Sequence, residues 1–170
     1  MINQRGFILG ILLCSVHFGA TAELPQYSEE KHLGVASCAS GVCHGSVRPR
    51  TSTGILQNEY VIWSRLDRHK NAYNILLSAE SKKIAHNMGL KNAHEAQVCL
   101  DCHADNVPAD KRGSKFQIED GVSCEACHGG AENYLTSHTD KDVPRHDNLA
   151  NGLYATDKIS DRATLCFSCH

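Results

Sequence analysis

Gly121-Val-Ser-Cys124-Glu-Ala-Cys127-His128-Gly129 is the stretch on which the reading of the whole chain turns. Two cysteines two residues apart, followed at once by histidine, recur at Cys99-Leu-Asp-Cys102-His103 and at Cys166-Phe-Ser-Cys169-His170. A looser copy, Cys38-Ala-Ser-Gly-Val-Cys43-His44, has four residues between its cysteines, and Ser40 and Gly41 allow that extra loop to bulge outward. The chemistry that needs C-x-x-C-H is covalent haem attachment. Two thiols add to the two vinyl groups of one haem, and the adjacent histidine is held beneath the iron, so the porphyrin sets the spacing. Cys38, Cys43, Cys99, Cys102, Cys124, Cys127, Cys166 and Cys169 are therefore the candidate attachment residues for four haems c, with His44, His103, His128 and His170 as proximal iron ligands.

Zinc and disulfide bonding are the competing uses of paired cysteines in an exported chain. With 11 histidines among 170 residues, one after each of four pairs arises by chance with a probability on the order of 10⁻⁵, and neither alternative calls for it. Both remain open at this point, and a disulfide is the stronger competitor at Cys38 and Cys43.

Each proximal ligand leaves one iron face to be filled. Six further histidines follow the N-terminal apolar segment, and Met88 is the only methionine there, so the distal donors are sought among the histidines. His69 comes first because it follows a stretch of helical periodicity containing Trp63. His138 comes second: ten residues beyond His128, it is too close to reach over the same haem but able to serve a neighbouring one. His94 and His86 follow, and His32 and His146 are balanced between ligation and solvent. Iron held by two histidines has no exchangeable position and passes electrons, whereas catalysis at haem requires an open face.

Around these motifs the composition is that of a thin side-chain core, with aromatic residues at 6%. Flat apolar porphyrins would serve as the core, and the expected fold class is mainly α: short helices and long loops packed around haems, with little or no β-sheet. The N-terminus carries Arg5, an apolar run from Phe7 to Ala20 and an Ala20-Thr21-Ala22 site, which reads as a cleavable export signal over residues 1–22, leaving residues 23–170 as one multihaem domain. An export signal implies a periplasmic or otherwise exported location. Cleavage would discard Cys14 and take the formal charge from −2 to −3, a balance that disfavours nucleic acid. Redox proteins are the expected partners, a membrane-associated electron donor among them.

Periodicity predicts helix from Leu56 to about Leu90, with Gly89 as a stop, a short helix from Ala93 to about His103, and a last helix starting near Asp161. Residues 34–50 and 106–113 read as loops, and residues 132–157 as an extended connection with about one turn of helix.

The chain resembles the tetrahaem cytochrome c-554 family and related haem domains of multihaem nitrogen- and sulfur-cycle oxidoreductases. The resemblance rests on Cys43-His44-Gly45, the Glu59-to-Tyr73 stretch with Trp63 and His69, the 121–129 block with His138 beyond it, and Arg162-Ala-Thr-Leu-Cys-Phe-Ser-Cys-His170. It implies a mostly helical fold, closely packed haems, mainly bis-histidine ligation and periplasmic electron transfer, with one haem left five-coordinate in some members. The four-residue spacing of the first motif departs from the pattern. The stop on His170, itself a ligand position, is read as a fragment of a longer cytochrome. The alternative function is that of a haem-based oxidoreductase, or the N-terminal part of one, acting on a small nitrogen or sulfur compound. A haem-based gas sensor would also need an open iron, and four haems exceed that need.

Overall fold

The computed structural model describes residues 24–170 apart from Thr53, so the proposed signal segment lies outside the described residues. Among the described residues there are seven short α-helices: α1 Glu59–Arg65, α2 Ala72–Leu76, α3 Ala79–Asn87, α4 Gln97–His103, α5 Cys124–His128, α6 Arg145–Ala150 and α7 Ile159–Phe167. No strand forms among the described residues, and extended pairing is limited to one isolated parallel bridge between His32 and Arg112. The fold is mainly α, as expected.

The long helical stretch expected from Leu56 to Leu90 is broken twice, for local reasons. The Asp67 carboxylate accepts the backbone N–H of His69 at 3.0 Å, which caps a 3₁₀ turn over Arg68–Asn71 in place of continued α-helix. Ser78 then caps α3, its hydroxyl accepting from the Ser81 N–H at 3.1 Å, and Gly89 ends that helix at φ +72°. The helix expected from Ala93 is also divided, because Ala96 is extended (φ −85°, ψ 122°) between a 3₁₀ turn at Ala93–Glu95 and α4. The connection over residues 132–157 holds more order than one turn, with a 3₁₀ turn at Ser137–Thr139 and α6.

The apolar core is small. Tyr73 and Leu76 of α2, Ala85 of α3, Ala93, Leu100 of α4 and Ala104 form one buried cluster, with Leu90, Cys99 and Ile118 packed against it. Three of its six buried members are alanine, each burying little apolar surface. Large apolar side chains stand exposed inside or beside the motifs instead: Val42, Val98 and Phe167. An apolar prosthetic group attached at the neighbouring cysteines would cover such side chains.

A buried polar clamp ties the N-terminal segment to the third motif. Glu125, inside that motif and 1% exposed, accepts three backbone N–H groups: Leu33 at 2.7 Å, Gly34 at 2.7 Å and Ala131 at 2.8 Å. Burial raises its pKa above the usual carboxylate range, against the pull of those donors and of His32. Beside it, fully buried His32 places Nδ1 2.9 Å from the Asp105 carboxylate, which also accepts the Ser123 hydroxyl at 3.0 Å.

Burial alone would lower the His32 pKa, but the hydrogen bond and charge of Asp105, with the charge of Glu125, leave it above 6.5. The protonated pair therefore contributes its full stability below about pH 6.5, and that contribution fades as pH rises through the higher folded value. The thermal midpoint of the holoprotein is expected to fall across that interval. His32→Gln should remove this part of the pH dependence, and an unchanged profile in the variant would assign it to other groups.

Candidate haem-binding sites

All eight cysteines of the four motifs are free thiols among the described residues, and no group of three or more His, Cys, Asp or Glu is arranged there to hold a metal ion. Neither a disulfide framework nor a four-donor zinc site is assembled from them.

What is assembled is a set of histidines whose Nδ1 atoms are already engaged. His44 Nδ1 lies 2.9 Å from Oε2 of Glu59 in α1, and His69 Nδ1 lies 2.9 Å from the Asp67 carboxylate that also caps its turn. His103, at the end of α4, meets the Ala72 carbonyl at 3.0 Å, and His138 meets the Tyr134 carbonyl at 3.0 Å. A carbonyl or carboxylate only accepts, so Nδ1 carries the hydrogen and Nε2 is left with a free lone pair. This is how protein metal ligands are oriented and made more basic. Burial works against ionisation of Glu59, yet its hydrogen bond with His44 and further donors hold the carboxyl below its ordinary pKa. Burial, followed by the neighbouring charge of His44, lowers the pKa of His128, which keeps that imidazole neutral and able to ligate.

Two pairs of histidine rings lie close together. The His44 and His138 centroids are 6.2 Å apart with planes at 9°, and those of His69 and His170 are 5.9 Å apart with planes at 75°. With metal–imidazole bonds of about 2.0–2.1 Å, two imidazoles on opposite sides of one metal have centroids about 6 Å apart. Both pairs have that separation, so the residues present fit a group that takes two axial nitrogens. Trp63 and the 121–129 block hold the backbone of His69: the indole N–H donates to the Val122 carbonyl at 3.0 Å, and the Val122 N–H donates to the carbonyl of His69 at 3.1 Å.

The other candidates are placed differently. His94 lies edge-on to Tyr73 at 6.4 Å, with Nε2 3.8 Å from Glu95. His86 is exposed on α3, and His146 is exposed beside Asp147 on α6. None of the three pairs with a motif histidine, and His32, whose Nδ1 meets Asp105, has its Nε2 buried without a hydrogen-bond partner. Among the described residues no histidine ring stands opposite His103 or His128. Glu59, Asp67 and Tyr134 were not singled out from sequence as orienting groups. Asp67, two residues before a candidate ligand, was the one whose spacing carried a signal.

The motifs also come together out of chain order. Cys38 of the first and Cys124 of the third are neighbours whose interaction lowers the pKa of Cys38 and raises that of Cys124. Cys102 of the second and Cys169 of the fourth are similarly close, and the Cys169 thiol reaches the Asp101 carbonyl at 3.7 Å. Cys127, pushed up to about 11 mainly by burial, also feels the charges of Cys166 and Cys169. Adjacency therefore runs first, third, fourth, second.

A family model described as cytochrome c554 and c-prime matches residues 37–129, just over half of the chain. No curated protein and no solved structure matches it.

Proposed function

The chain belongs to the cytochrome c554 and c-prime family, a family of haem-based electron transfer, and from that premise we propose that it is a four-haem electron carrier of the periplasm. Haem c, attached at the eight motif cysteines, supplies an iron that changes oxidation state by one electron without making or breaking protein bonds. The protein's part is to hold and orient. His44, His103, His128 and His170 serve as proximal donors; His138 faces His44, and His69 faces His170. Glu59, Asp67 and the Ala72 and Tyr134 carbonyls keep four imidazoles in one tautomer. The out-of-order adjacency of the motifs supports a relay running first, third, fourth, second, with redox proteins donating and accepting at its ends. Cytochromes c are typically exported, and no helix among the described residues is long and apolar enough to cross a membrane.

The observation that carries this reading is the His44/His138 pair, with centroids 6.2 Å apart and both Nδ1 atoms engaged elsewhere. Two measurements on holoprotein made with haem-attachment machinery test it. A haem-to-protein ratio of four is expected, falling to three in Cys38→Ser/Cys43→Ser; a wild-type ratio below three overturns the proposal. The ferric electron paramagnetic resonance spectrum should contain two different low-spin signals, because parallel and crossed imidazole planes split the iron d orbitals differently.

A second reading has one observation in its favour: no imidazole faces His103 or His128 among the described residues. An open iron on either would admit a small nitrogen or sulfur compound and make the chain an oxidoreductase or part of one. Carbon monoxide titration of the reduced holoprotein separates the two. No spectral change favours a dedicated carrier, and a change at one or two haems favours the open-site reading.

A further inference from the structure

Tyr134 stands between two ligand positions assigned to different haems, His128 of the third motif and His138 opposite His44. Its side chain is buried, and its hydroxyl donates to the Gly129 carbonyl at 2.8 Å and reaches the His128 carbonyl at 3.3 Å, the two residues that close α5. Gly129 is there because the chain turns at φ +81°, and a Cβ at that position would sit 2.1 Å from the Gly152 carbonyl oxygen. The strand of backbone that Tyr134 grips is thus confined on both sides. At the other end of the same residue, the Tyr134 carbonyl accepts two donors, the His138 N–H at 2.9 Å and His138 Nδ1 at 3.0 Å, with the Ser137 hydroxyl 3.3 Å away. The aromatic ring meets the His138 ring edge-on at 5.8 Å with planes at 88°. Ser137 is in turn anchored at 2.6 Å on buried Asn148, which fixes the turn from outside.

We propose that Tyr134 is a positioning residue shared by two haem sites, setting the ring angle and basicity of His138 through its carbonyl and ring, and the seat of His128 through its phenol. The proposal rests on the four-haem reading. The hydrogen bond at Nδ1 decides how strongly the opposite nitrogen donates to a metal, and outer partners of this kind commonly matter nearly as much as the ligands themselves. The two attachments are chemically separable. Tyr134→Phe removes the phenol and leaves the ring and carbonyl, so it acts on His128 alone. Tyr134→Leu removes phenol and ring together, so it acts on both histidines.

The test compares wild type, Tyr134→Phe and Tyr134→Leu holoproteins by haem ratio, low-temperature electron paramagnetic resonance and spectroelectrochemical titration, with His138→Met identifying the signal of the His44/His138 pair. Tyr134→Phe should keep the full haem ratio and that signal while shifting the signal and midpoint of one other haem. Tyr134→Leu should shift both. Unchanged signals and midpoints in Tyr134→Phe, or an equal shift of every haem, overturn the assignment at an intact haem ratio. A wild-type ratio below three would overturn the four-haem reading first, and the role of Tyr134 with it.

Discussion

Glu125→Ala is expected to destabilise the holoprotein by about 3–5 kcal/mol, the range seen when one partner is removed from a buried charged network. Three backbone N–H groups from segments far apart in sequence converge on that one carboxylate, at 2.7, 2.7 and 2.8 Å. Deleting it strands all three without water, and each orphaned buried donor costs about 1–3 kcal/mol before relaxation. Glu125→Gln should cost less, because one amide oxygen still accepts while the NH₂ group opposes the remaining donors. Guanidinium unfolding followed by both circular dichroism and Soret absorption gives the comparison. A loss below about 1 kcal/mol in the alanine variant would mean that the clamp is replaced by water or by backbone rearrangement. The consequence reaches function through geometry. Leu33 and Gly34 lead into the first motif and Glu125 lies inside the third, so the clamp sets how those two motifs sit against each other.

Removing a facing histidine should change the coordination of one iron and no other. His138→Gly is expected to raise the number of carbon monoxide-binding haems by one, and His69→Gly to do the same at the His170 site, with added imidazole reversing each effect. A bis-histidine iron has no exchangeable position, so the change at that haem is from no binding to stoichiometric binding. His86→Gly and His146→Gly serve as controls, since neither side chain approaches a motif histidine, and both should leave the count unchanged. If His138→Gly binds no more carbon monoxide than wild type, the parallel rings of His44 and His138 do not share an iron.

Much of the chemistry was legible in the chain because haem attachment is local. Two thiols and a histidine within five residues suffice for one porphyrin, so Cys99 to His103, Cys124 to His128 and Cys166 to His170 carry the attachment pattern without tertiary information. The sparse aromatic content pointed to a thin core and the three- and four-residue periodicity to helices, and the helices are short and the apolar cluster alanine-rich. Helix boundaries were less legible. Asp67 and Ser78 are unremarkable polar residues in a periodic stretch until their side chains turn back to cap the next turn.

His32 shows the other limit. Nothing in its neighbourhood distinguishes it from His146, yet one is wholly buried on Asp105, 73 residues away, and the other is exposed. What the sequence determined by itself is the kind of chemistry: which residues carry the attachment pattern, and the helical class of the fold. Which histidine faces which, which carboxylate orients it and in what order the motifs adjoin were decided only by the tertiary structure. The pairing of His44 with His138 and of His69 with His170 is a contact between residues dozens of positions apart, and its distances arise only when α1, the 121–129 block and the Tyr134 turn pack together.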